Sequence, residues 1–120
     1  MILIIENNLN ISNNFKERLD FYNLNYKIVN CGVDAYKIIC EDRPRLAFEF
    51  IITNLGLPDE NGFEIIKFAN TKYDTKIVIY SSKPYIKYFD EDIIKDIYIF
   101  DKKDKTPQEI IDMIISGEIS

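Results

Sequence analysis

The sequence predicts an α/β domain built on a doubly wound, five-stranded parallel sheet. Two observations carry that reading. Five short apolar runs recur along the 120 residues. Between them lie amphipathic stretches long enough to be helices. Strands joined through helices of that length pair in parallel, by right-handed crossovers, and the helices cover both sheet faces.

Each element has its own signature. Ile2-Leu3-Ile4-Ile5 is continuously apolar, as a strand buried on both faces should be. Ile11, Phe15, Leu19 and Tyr22 then recur at spacings that line one helix face, with a cap expected near Asn8 to Asn10. Asn25-Tyr26-Lys27-Ile28-Val29 alternates, which suits an edge strand. Residues 34–41 read as a short helix that buries Ala35, Ile38 and Ile39, and Arg43-Pro44-Arg45 ends it. Phe50-Ile51-Ile52-Thr53 is a second buried strand. Residues 62–71 read as a helix with Phe63, Ile66 and either Phe68 or Ala69 inward. Lys76-Ile77-Val78-Ile79-Tyr80 is a third buried strand, after which Ser82 can cap a helix with Pro84 in its first turn. Ile97-Tyr98-Ile99-Phe100 is the last strand. Thr106-Pro107-Gln108-Glu109 is a capping box with proline at the first helical position. The closing helix carries Ile110, Ile111, Ile114 and Ile115, and Gly117 is its expected stop. The domain is thus expected over residues 1–116, with 117–120 as a tail or the start of a linker.

Composition removes several function classes. Twenty acidic residues against fifteen basic ones give a net charge of −5, so phosphate backbones repel the domain and direct nucleic-acid binding is not expected. There is no histidine, which excludes histidine general bases, His-ligated zinc and Ser-His-Asp triads. No apolar run approaches the ~20 residues of a membrane span, and the first residues lack the pattern of a signal peptide. Cys31 and Cys40 are too few for a disulfide scaffold. They read as reduced thiols, and the expected location is the cytoplasm.

In doubly wound folds, chemistry collects at the C-terminal ends of the strands. The residues there are Glu6-Asn7-Asn8, Asn54, Ser81-Ser82 and Asp101-Lys102-Lys103. In this light the chain resembles response-regulator receiver domains. Glu6-Asn7 stands where that family has its acidic pair. The run Ile51-Ile52-Thr53-Asn54-Leu55-Gly56-Leu57-Pro58-Asp59-Glu60-Asn61-Gly62-Phe63-Glu64 is similar to the block around the phosphoacceptor. Ser81 falls on the family's hydroxyl position and Lys102 on its lysine. The resemblance implies a flavodoxin-like fold with strand order 2-1-3-4-5. It also implies a site in which carboxylates and a backbone carbonyl, here that of Gly56, hold Mg²⁺ while an aspartate accepts a phosphoryl group. The hydroxyl then bonds the phosphate, and an aromatic residue on the last strand reorients.

This sequence departs from that pattern where the chemistry is decided. Asn54 replaces the phosphoacceptor aspartate and Asn7 one metal-binding aspartate. A carboxamide cannot form the acyl phosphate, and Mg²⁺ prefers carboxylates, so weak or absent metal and no other cofactor are expected. Ile99 occupies the aromatic switch position, and Lys103 stands where most receivers have proline. The register leaves Asp101 or Lys103 as alternatives to Lys102 in the pocket, and Ser81 and Ser82 suit helix capping as well as phosphate contact. The resulting expectation is a pseudo-receiver with no catalytic residue, signalling by phosphorylation-independent protein contact. Its partner would be a histidine kinase, an output protein or its own output domain. The contact surface would lie on the fourth helix, the last strand and the closing helix, with Asp90, Asp92 and Tyr98 on it. The same face offers a homodimer surface. One alternative is a phosphorelay receiver bearing an engineered aspartate-to-asparagine change at position 54, which would leave Asn7 unexplained. Another is a flavodoxin-like cofactor binder, against which the glycine-poor loop after Glu6 counts.

Overall fold

Apolar runs become strands here because each is buried from both sides. In the computed structural model, which describes residues 1–41, 48–59, 64, 69, 75–82 and 97–120, five parallel strands form one sheet. They are β1 (Ile2–Ile5), β2 (Tyr26–Val29), β3 (Phe50–Thr53), β4 (Lys76–Ser81) and β5 (Ile97–Asp101). Their order is β2-β1-β3-β4-β5, so β2 and β5 are the edges. Every residue of β1 is buried, and β1 pairs on both sides, Ile5 lying level with Val29 of β2 and Thr53 of β3.

Successive side chains alternate across the sheet and divide the core into two layers. Leu3, Ile5, Ile51, Ile77 and Ile79 face one way and meet Ala35 and Ile39 of α2 (Gly32–Glu41). Ile2, Ile4, Ile52, Val78 and Tyr80 face the other way. They meet Phe15 and Leu19 of α1 (Leu9–Phe21) and Ile110 and Ile111 of α3 (Pro107–Ser116). Helices thus cover both faces, as the doubly wound pattern requires.

The helix ends follow local chemistry. Asn8 caps α1, its side chain accepting from the Ile11 N–H. Asn23 follows that helix at φ 55°, a left-handed conformation that asparagine tolerates better than most residues. The capping box of Thr106 and Glu109 starts α3, and Gly117 at φ 85° ends it. Helix α2 begins at Gly32, two residues before the start expected at Asp34, because a carboxylate from elsewhere in the chain caps it (below). Ile38, expected inside, is only partly buried beside Ala35 and Ile39. Arg18 of α1 grips Asp112 of α3 through both carboxylate oxygens, and the Tyr22 hydroxyl donates to the same carboxylate at 2.7 Å. Those two partners, Tyr22 first, hold the Asp112 carboxyl below its ordinary pKa.

Not every isoleucine of the closing helix faces inward: Ile115 is 47% exposed. The segment after Gly117, expected as a tail, folds back, and Ile119 is 1% exposed in the α1–α3 layer. The aliphatic place near the last turn of α3 therefore goes to Ile119. Ala69 is buried opposite, with α2. Glu64 is helical and exposed. Apart from Glu64 and Ala69, the helix expected over 62–71, the end of α2 at Arg43-Pro44-Arg45, and the stretch with Pro84, Asp90, Glu91 and Asp92 lie outside the described residues. No helix among the described residues is long and apolar enough to cross a membrane.

Candidate functional site

Parallel strands end together, so the polar residues that follow them meet at one edge of the sheet. The backbone sets this up. Glu6 donates its N–H to the Val29 carbonyl, Asn54 to that of Ile5, and Lys102 to that of Ser81, each at 3.0 Å. Glu6, Asn54 and Ser81 are buried there, Glu6 with only 2% of its surface exposed.

Asn54 is the junction. Its Nδ2 donates to Asn7 Oδ1 at 2.9 Å and to Glu6 Oε2 at 3.3 Å. Its Oδ1 accepts from Ser81 Oγ at 2.8 Å and from the Gly56 N–H at 3.2 Å. Only one amide orientation satisfies these neighbours: an ionised Glu6 can only accept, and the Gly56 N–H can only donate. The Leu55 N–H donates to Ser81 Oγ at 3.3 Å, leaving the hydroxyl proton free for Asn54. Glu6 is equally engaged, with Oε1 on Lys102 Nζ at 2.8 Å and Oε2 also accepting from the Asn8 N–H at 3.1 Å. No buried side-chain nitrogen or oxygen lacks a partner among the described residues.

The structure therefore brings Glu6, Asn7, Asn54, Ser81 and Lys102 together. Gly56 reaches the group through its N–H. Of the three candidates after β5, Lys102 is the one that reaches Glu6. Asp101 turns the chain instead, its carboxylate accepting from the Lys103 N–H at 2.9 Å and its carbonyl from the Asp104 N–H at 2.9 Å. Ile99 lies level with Ile79 and packs on the α2 layer. Tyr98 and Phe100 face the other layer. Asp90 and Asp92 are outside the described residues.

Two residues that sequence reasoning missed hold the site in place. Tyr80 donates its hydroxyl to the Lys105 carbonyl at 2.6 Å, and its ring centroid lies 5.9 Å from Lys102 Nζ. Burial first, then the carboxylates of Glu6, Glu109 and Asp101, push the Tyr80 phenol up to about 12, so it stays a neutral donor. It pins the loop that carries Lys102. A tyrosine inside an otherwise aliphatic strand was the available signal, because a buried hydroxyl needs a partner.

Asp59 is the second. Its carboxylate accepts from the Gly32 N–H at 2.7 Å and the Val33 N–H at 3.1 Å, capping α2 and tethering the loop after Asn54. Those backbone donors hold its carboxyl below the ordinary value. A lowered folded-state pKa means stability that is present above the unfolded pKa of about 3.9 and lost as pH falls through the folded value. Asp59→Asn should therefore lower the urea midpoint at pH 7 and narrow its gap to the parent as pH falls below about 4. Equal midpoints at pH 7 would show that the tether adds no stability. Nearby, the Asp34 N–H favours the Cys31 thiolate, but burial and the carboxylates of Asp34 and Asp59 outweigh it and hold the thiol above its ordinary pKa. That is the opposite of an activated cysteine.

No family model matches the sequence, and no curated protein matches it. Solved structures do. A response regulator receiver protein from Sinorhizobium medicae WSM419 superposes with a TM-score of 0.79 at 16% identity, covering 98% of this chain and 92% of its own. The chemotaxis response regulator CheY4 of Vibrio cholerae gives 0.77 at 17% identity, over 96% and 95%. A CheY-like receiver domain protein from Methanospirillum hungatei JF-1 gives 0.76 at 22% identity, over 97% and 90%. At these identities the likeness is one of fold, and the fold is that of response-regulator receiver domains.

Proposed function

We propose that this chain is a receiver-type signalling domain that works without aspartyl phosphorylation and presents one fixed surface to a protein partner. The observation that carries the reading is the closed network at Asn54. The carboxamide supplies two donors to the Glu6 and Asn7 side and two acceptor contacts to the Ser81 and Gly56 side. It has no nucleophilic oxygen to give to a phosphoryl group.

The donor set does not fit Mg²⁺. That ion wants several oxygen ligands in octahedral array and one or two carboxylates. The lone carboxylate, Glu6, already serves Lys102, Asn8 and Asn54, and Asn54 turns an N–H₂ group rather than an oxygen toward Glu6 and Asn7. Ile99, packed among aliphatic side chains, has neither a ring to swing nor a hydroxyl to re-pair. With no ligand to bias two states, packing sets a single conformation. On this reading the domain is not an enzyme. It acts in the cytoplasm, and its partner is a histidine kinase, an output protein or an output domain of the same polypeptide. A flavodoxin-like cofactor role draws no support from the cavity of 390 Å³ lined by Ile2, Leu24, Phe50 and Ile114, since it opens at the N-terminal ends of β1 and β3.

Incubation with radiolabelled acetyl phosphate and Mg²⁺ tests the proposal. We expect no stable label on the protein, and amide NMR spectra that beryllofluoride leaves unchanged. A labelled protein, or beryllofluoride shifts centred on Asn54 and Ser81, would sink it.

A further inference from the structure

An amine and a carboxamide share one buried carboxylate at the strand ends. Glu6 holds the Lys102 Nζ on Oε1 at 2.8 Å and the Asn54 Nδ2 on Oε2 at 3.3 Å. The carboxamide oxygen lies in a second clasp, where Ser81 Oγ donates to Asn54 Oδ1 at 2.8 Å and the Gly56 N–H donates to it at 3.2 Å. Donors so placed stabilise the negative charge that develops on a carbonyl oxygen under attack. These contacts fix the carboxamide. The Lys102 stem is the movable partner, and its side chain, 22% exposed, gives a small leaving molecule a way out.

We propose that Lys102 and Asn54 join in an isopeptide bond, with Glu6 carrying the protons, and that the three side chains as they stand are the reactants. Burial penalises the two charges, and passing a proton from Nζ to Oε1 leaves both groups neutral and the amine nucleophilic. Attack needs Nζ within about 3–3.5 Å of the Asn54 Cγ, a move that rotation within the flexible lysine stem supplies. The Nζ–Cγ bond forms as electrons pass onto Oδ1, and the Cγ–Nδ2 bond breaks as they return. Nζ begins as an ammonium with three protons and keeps one, as the new amide. Another travels by way of Glu6 to Nδ2, which departs as ammonia. The last stays on Glu6, so the carboxyl ends neutral where it has lost its cation. The step consumes nothing but the chain itself. Its competitor is attack on the same Cγ by the Leu55 nitrogen, whose N–H is committed to Ser81 Oγ at 3.3 Å. The bond would tie the end of β3 to the end of β5 across β4. It goes beyond the signalling reading and does not draw on it, so either can fail alone.

Intact-mass spectrometry of the folded full chain on prolonged incubation tests the bond. The mass should fall by one ammonia, and trypsin should release a branched peptide in which the Lys102 side chain carries Asn54. Lys102→Arg and Glu6→Gln should each keep their full mass, and Ser81→Ala should react about 100-fold more slowly. The parent chain held unfolded in guanidinium chloride has the same groups without their geometry and should form no branched peptide. A folded parent that keeps its full mass would overturn the proposal. So would ammonia loss from Lys102→Arg at the parent's rate, which marks a succinimide at Asn54, or a branched peptide formed equally in the unfolded chain.

Discussion

Lys102→Met should destabilise the domain by about 3 kcal/mol in urea unfolding at pH 7, the lower end of the cost of removing one partner from a buried ion pair. Burial decides this magnitude. An exposed pair would be worth about 0–1 kcal/mol. Here the Glu6 side chain is 2% exposed and that of Lys102 22%, with 2.8 Å between the charges. Methionine keeps most of the stem packed beside the Tyr80 ring but leaves the carboxylate without its cation. The Asn54 and Asn8 donors cannot replace a full charge. Adding Glu6→Gln to Lys102→Met removes the stranded charge and should recover most of the loss. A double variant no more stable than the single would show that Lys102 acts through packing instead.

Asn54→Asp should be as damaging without metal, again about 3 kcal/mol at pH 7, because it places a second buried carboxylate against the first. The oxygen replacing Nδ2 would stand 3.3 Å from Glu6 Oε2 and 2.9 Å from Asn7 Oδ1, acceptor facing acceptor in both contacts. The new carboxyl would hold its proton more tightly in the folded than in the unfolded state. The folded state then binds more protons above the unfolded pKa of about 3.9, so the variant loses stability as pH rises from there and sits nearest the parent in acid. Thermal unfolding at pH 4 and pH 7 reads this directly. Adding Asn7→Asp worsens the repulsion and supplies a second carboxylate for a divalent cation. Mg²⁺ at ten times its dissociation constant should then return about 1.4 kcal/mol to the double variant and nothing to the parent. A double variant indifferent to Mg²⁺ would mean that Lys102 or its loop blocks the cation's place.

Much of this was legible because strands buried on both faces must be apolar throughout. Ile2 to Ile5 and Phe50 to Thr53 announce themselves, and the capping box at Thr106 marks the start of α3 to the residue. The meeting of Glu6, Asn54, Ser81 and Lys102 followed from parallel strand ends and from the resemblance of the Asn54 block. What stayed hidden depends on contacts far apart in sequence. Nothing local says that Asp59 caps α2, which is why that helix starts earlier than expected. The choice of Lys102 over Lys103 rests on Asp101 turning the chain and on Tyr80 pinning Lys105. Ser116-Gly117-Glu118-Ile119-Ser120 has the composition of a tail, and one isoleucine is too little periodicity to betray a buried return.

The network at Asn54 also bears on the order in which the molecule assembles. Its links join residues 48 and 27 positions apart, and the ion pair joins the first strand to the last. Contacts this distant close only after the intervening loops have surrendered their freedom. A network of such distant links is expected to close late, so substitutions in it should speed unfolding more than they slow folding, which stopped-flow unfolding and refolding of Lys102→Met would read.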